Sequence, residues 1–354
     1  MSTRKLLALA ALVACLGAST AHAHTTNFSW GGNRVVIKAS RNSFEPGGPW
    51  AAALERVESR FYNEQPSAMW FDLQYKSGPV YFGNFENEVW FSNSAQFDPA
   101  MCLYWKFGSS VVEADVVFFT GEMWTLSRDK ESIWSYGGGF RPFETTAIHE
   151  FGHAAGLGHE AYEYNIMGSD WNHVACNGSL YRPYIGEDAA NGLVSLYGYP
   201  THGSVEDLGV TYFRRWGHSG EYSTHSNCRL LDLSGAELPS DFFNGQRRYS
   251  VNRGQTIRVE FTYENNGEST FYGIDCGYYI SPNSYISTGD MLIGTRTLSM
   301  NRNDVYTNSY KTVTIPTGLS SGSTYYLGAL IDDTREIPEV TEWNNAAYHV
   351  IRIN

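Results

Sequence analysis

The stretch HEFGHAAGLGHE, residues 149–160, places three histidines and two glutamates within a dozen positions. On a helix His149 and His153 stand four residues apart, so both imidazoles leave one face and can share a cation. Glu150 lies one position round, within reach of a metal-bound water without ligating the metal. Gly156 can take the left-handed backbone that stops a helix, and the returning chain then delivers His159 as a third nitrogen. Three neutral imidazoles leave one tetrahedral position open for water, the mark of a catalytic rather than a structural zinc site. Water held there ionises near pH 7, roughly, and the metal polarises a carbonyl. Glu150 is placed to take the water proton and hand it to a leaving amine. Such a set hydrolyses peptide bonds with no serine or cysteine nucleophile. HExxH by itself also falls on ordinary solvated or core helices, but HExxHxxGxxH demands a turn residue and a further ligand at set spacing, and is far more specific.

The elements that must carry this motif are legible around it. RVVIKAS (34–40) reads as a strand, and in 49–64 Trp50, Leu54, Val57 and Phe61 make one apolar helical face after Pro49. The runs 69–75, 87–93 and 111–120 are rich in valine and aromatics and read as strands. A helix over about 144–155 carries the histidines, and a third follows in GEDAANGLVSLYG, stopped by Gly198 and Pro200. Beyond residue 204 short extended runs recur at 256–263, 271–280, 291–298, 310–316, 324–331 and 346–353, separated by turn residues. That spacing predicts an antiparallel sandwich of immunoglobulin-like type.

Bulk properties bound the rest. A chain of 354 residues is expected to form two domains. Its first 23 residues combine a basic start, an apolar run and Ala21-x-Ala23, the pattern of a cleaved signal peptide, which implies a secreted product. Leu12-Val13-Ala14-Cys15 would also serve as a lipoprotein box, leaving an anchored, lipidated Cys15 as the alternative. No later run approaches the roughly 20 apolar residues that cross a bilayer. The formal charge of -12 becomes about -14 once Arg4 and Lys5 leave, opposite to what a nucleic-acid backbone attracts. Cys102, Cys176, Cys228 and Cys276 remain as disulfide candidates. Cys102 with Cys176 and Cys228 with Cys276 is the simplest pairing, and four free buried thiols the alternative.

With its histidines in place, the string resembles the metzincin zinc endopeptidases, whose pattern continues into a turn containing methionine. The resemblance implies that Met167, in YNIMGSD, forms the floor beneath the histidines. EADVVFF and IGEDAANGLVSLYG look most like the matrixin branch, whereas Glu160 after the third histidine is shared with the astacin branch. Where that branch has a metal-binding tyrosine two residues past the methionine, this chain has Ser169, and Tyr162 and Tyr164 are assigned no role. Glu160 reads equally well as a surface charge. About ten residues separate the expected cleavage site from the first strand, and none is the cysteine that keeps matrixins latent.

The C-terminal half resembles the CARDB-type immunoglobulin-like module through YENNGEST, GYYIS, the tail of YKTVTIPTGLSSGSTYYLGALID and EVTEWNNAAYHVIRI. This implies attachment to a cell surface, a polysaccharide or a protein, and a plain spacer is an equal reading. Removal of either is expected to leave cleavage of a short peptide intact. Asp332, Asp333, Glu339 and Glu342 could bind Ca2+, but without calcium-loop spacing a solvated acidic edge is favoured. The expected architecture is therefore an α+β metzincin-like catalytic domain over 24–200, a mixed twisted sheet with three helices. An all-β immunoglobulin-like sandwich follows over 201–354. The function implied is a zinc endopeptidase acting on protein or peptide substrates. The rival is a surface adhesin whose protease-like half is inactive, and the intact Glu150 with three ligands favours catalysis.

Overall fold

A computed structural model describes residues 24–94, 98–107, 110–133, 138–160, 166–168, 175–178, 180, 182–201, 203–214 and 227–354. The leader with Cys15, and Tyr162, Tyr164 and Ser169, lie outside the described residues. In β1 (Arg34–Ser40) Val35, Ile37 and Ala39 are buried while the residues between them are not, the period of two that a pleated strand imposes. It is followed by α1 (Pro49–Tyr62), β2 (Trp70–Lys76), β3 (Glu88–Ser92), β4 (Ala100–Phe107) and β5 (Ser110–Phe119). The strands form one sheet in the order β2-β1-β3-β5-β4, parallel except for β4, which closes one edge antiparallel to β5. α1 lays Leu54, Val57 and Phe61 onto the core and ends at Tyr62, two residues before the expected boundary.

Short parallel pairs β6 (Trp124–Thr125) and β7 (Arg141–Pro142) lead into α2 (Phe143–Ala154). Every residue of α2 except His153 is buried, although nearly half of them are polar, because the helix is enclosed by its neighbours. Phe151 meets Phe71 of β2 edge-on at 4.8 Å, and Phe71 meets Phe61 of α1 edge-on at 5.2 Å, so one aromatic cluster ties helix, sheet and helix. The hairpin of β8 (Ala175–Cys176) and β9 (Arg182–Pro183) precedes α3 (Glu187–Tyr197), which stops at Gly198 with φ 70° as the glycine and Pro200 imply.

The C-terminal half is all β. It comprises β10 (Leu208–Thr211), β11 (Leu230–Leu231), β12 (Ser240–Phe243), β13 (Gln246–Val251), β14 (Thr256–Asn265), β15 (Phe271–Ser281), β16 (Met291–Met300), β17 (Asp304–Thr314), β18 (Thr324–Ile331) and β19 (Ala346–Ile353). One sheet orders β10-β14-β11 with β17 on β14, and the other β12-β13-β19-β18-β15-β16. Val259, Phe261 and Tyr263 from the first meet Tyr278, Ile280, Leu327, Ala329 and Ile351 from the second in one buried cluster. Two sheets sharing one core in this way make the immunoglobulin-like sandwich.

Three expectations need correction. Cys102, Cys228 and Cys276 are free thiols. Cys228 contacts Thr262 of β14 at 3.7 Å, whereas Cys276 belongs to β15 in the facing sheet, and neither sulfur is linked. Cys102, in edge strand β4, is likewise a free thiol, and the Cys176 side chain lies outside what is described. The four acidic residues do not all lie on a solvated edge, since Glu342 is exposed but Asp332 is buried and Asp333 and Glu339 are half-buried. Asp332 is buried and caps the backbone N–H groups of Glu336 and Ile337, both at 3.1 Å. Asp333 accepts from the Tyr279 hydroxyl at 2.6 Å, and Glu339 from Asn345 Nδ2 at 2.7 Å.

Candidate metal centre

α2 presents His149 and His153 one turn apart, and backbone acceptors fix both rings. His149 Nδ1 donates to the Ile166 carbonyl at 2.6 Å and His153 Nδ1 to the Leu157 carbonyl at 2.9 Å. With the protons on Nδ1, both Nε2 lone pairs face inward. After Ala154 the chain turns sharply at Gly156, whose φ of 104° suits glycine, and brings His159 back. The three Nε2 atoms lie 3.1, 3.1 and 3.0 Å from one another, and they are the ligand-type group that converges among the described residues.

Three inward lone pairs at that separation repel unless a cation lies between them. Tetrahedral zinc at 2.0–2.1 Å from each nitrogen asks for nitrogens about 3.3 Å apart, a few tenths of an ångström wider than the triangle. Burial, with His159 adding, pushes His153 down to about 4, and burial lowers His159 as well. Neutral imidazole is the form that ligates, so the residues present fit zinc.

Glu150 stands beside this triangle, 6% exposed. Burial, then the Asp98 charge, push its carboxyl up to about 8, against the Cys102 backbone N–H that donates to it. A carboxyl held near neutrality can both take and return a proton. Met167 is buried beneath α2, and a Cβ built at Gly152 would stand 2.3 Å from its Sδ. The small residue inside the motif therefore makes room for the sulfur. Glu160 is buried, not a surface charge, and its N–H donates to the Met167 carbonyl at 3.0 Å.

Sequence reading missed the segment His24–Trp30, which braces the return loop. Asn27 N donates to Gly156 O and Gly158 N to Thr25 O, both at 2.7 Å. Thr25 Oγ1 donates to His159 O at 2.8 Å, and Trp30 Nε1 to Ala154 O at 2.8 Å. A Cβ at Gly156 would lie 2.1 Å from the Phe28 carbonyl oxygen. Every acceptor here is a backbone carbonyl and two of the four donors are backbone N–H groups, which leave little residue-type signal apart from the glycine.

Helix, return loop and converging imidazoles on a mixed sheet define a metallopeptidase-type domain. Residues 85–198 match the family model of the matrixins, and residues 243–349 match that of CARDB. A matrixin domain implies zinc and a peptide substrate. No curated protein matches the chain. Among solved structures, the crystal structure of a CARDB domain from Pyrococcus furiosus, in complex with di-metal ions, is 15% identical. It covers 42% of this chain and 89% of that one, with a TM-score of 0.26. The solution structure of the same domain is 18% identical, with coverages of 42% and 94% and a TM-score of 0.24. The C-terminal domain of wzt is 14% identical, with coverages of 44% and 81% and a TM-score of 0.24. The sandwich assignment rests on the sheets and the CARDB match, not on these likenesses.

Proposed function

We propose that the chain is an exported zinc endopeptidase of the metzincin type that cleaves extracellular proteins, with residues 1–23 removed as a leader and residues 24–200 catalytic. The observation that carries this is the triangle of His149, His153 and His159 Nε2 atoms with Glu150 buried beside it. Zinc held there supplies a Lewis acid and a readily ionised water. Glu150 takes the proton of the attacking water on its carboxylate and delivers it to the leaving amine nitrogen. The Ile166 and Leu157 carbonyls keep the imidazoles aimed, and the Met167 side chain packs below them. Residues 201–354 form the second unit, and attachment to a surface, polysaccharide or protein is its proposed binding task.

Casein digestion by the purified protein tests the reading. Chelation is expected to stop cleavage and added zinc to restore it. Glu150→Ala should retain zinc while losing between about 100- and 10,000-fold in turnover, the usual worth of a general base. Equal turnover by native, chelated and Glu150→Ala protein would refute it.

A further inference from the structure

The two halves meet through buried polar contacts rather than a tether. Lys130, in the short 3-10 turn Lys130–Ser132, is only 6% exposed. Its Nζ donates to Asn177 Oδ1 and, at 2.6 Å, to the Tyr348 hydroxyl of β19. The same amine lies 4.4 Å from the centre of the Tyr348 ring, a cation–π approach. Asn177 Nδ2 closes the set by donating to the Tyr348 carbonyl at 2.6 Å. Asn177 and Tyr348 are 1% and 2% exposed, so breaking this set costs buried hydrogen bonds.

Further along the same segment, the Tyr184 hydroxyl donates to Glu264 Oε1 of β14 at 2.9 Å. The Arg182 and Arg60 guanidinium groups lie 5.6 and 5.1 Å from the ring centre of Trp343. Ile133 and Tyr184 belong to the sandwich's own core cluster. The chain that leaves Ile166 and Met167 at the metal floor is thus gripped by the sandwich at Asn177, Arg182 and Tyr184 before α3 begins.

We infer that the sandwich is a working part of the peptide-cleaving unit, with Lys130, Asn177 and Tyr348 as positioning residues that hold the chain at Asn177, Arg182 and Tyr184 in place ahead of α3. The inference rests on the proposed function and goes against the separable spacer that sequence alone suggests. Cleavage of even a short peptide then depends on the interface.

The test uses the full chain in four forms: wild type, Lys130→Met, Tyr348→Phe, and Leu298→Ala as a control in the sandwich core away from this contact. Kinetics on a quenched short peptide, bound zinc, and amide exchange over residues 175–184 are measured. Lys130→Met is expected to lower kcat/KM by between about 10- and 100-fold, mainly through KM, since a displacement of about 1 Å remote from the chemistry can reach that size. Zinc content should not change, and exchange over 175–184 should accelerate. Tyr348→Phe keeps the carbonyl bond to Asn177 and should show a smaller change in the same direction. Leu298→Ala should lower Tm while leaving KM and this exchange alone. Wild-type kinetics and exchange in Lys130→Met, or an equal KM shift in Leu298→Ala, would overturn the inference. If the wild type shows no chelator-sensitive cleavage, the proposed function fails, and the exchange comparison still decides the positioning role.

Discussion

Gly156 is the most exacting position near the imidazoles. Its φ of 104° strains any side chain, and a Cβ would collide with the Phe28 carbonyl oxygen. Gly156→Ala is expected to lose about 1–3 kcal/mol from backbone strain alone, with the clash added, and to displace His159. Denaturant titration together with zinc stoichiometry checks this, and a variant with native stability and full zinc would contradict it. The ligands and Glu150 were legible because their side chains carry the chemistry at fixed spacing. Cys102 N–H, Ile166 O and Leu157 O were not, because every residue owns those atoms and only the fold selects among them.

Most elements announced themselves through periodicity, and the exceptions have a physical cause. β1 and α1 each bury one face, so apolar spacing marks them. β4 does not: Leu103, Tyr104, Trp105 and Phe107 are all exposed, with no alternation for sequence to display. It is nevertheless the strand whose Cys102 N–H meets Glu150. β11 and β12 are two and four residues long, too short to show a period. The segment before β1 is similarly silent, yet it makes several bonds to the loop that carries His159. Deleting residues 24–28 should weaken zinc binding by between about 10- and 100-fold, the range found when supports of metal-binding histidines are removed. Competition with a chromophoric chelator measures it, and unchanged affinity would show that α2 alone aims the third imidazole.

At the scale of the molecule, the sandwich holds a proton balance that composition could not reveal. Burial pushes His349 down to about 4, with its Nε2 donating to the Glu260 carbonyl at 2.8 Å. Between pH 6.5 and 4 the unfolded imidazole binds a proton that the folded one refuses, so stability from this group is lost as pH falls. Asp207 and Glu339 act in the opposite sense, since burial raises them to about 6 and about 9 and the stability linked to their protons is lost as pH rises. His349→Gln removes only the first effect. The stability gap between wild type and His349→Gln should therefore shrink from pH 7 to pH 4.5, by at most about 1.4 kcal/mol per pH unit. Thermal unfolding at both pH values is the check, and a constant gap would place the acid sensitivity elsewhere.

The three unlinked thiols bear on where such a molecule can acquire its shape. Because Cys102, Cys228 and Cys276 are free, no oxidant or isomerase is needed to join any two of them. Among the described residues, resistance to unfolding then falls to the breadth of two oily interiors and the seam between them.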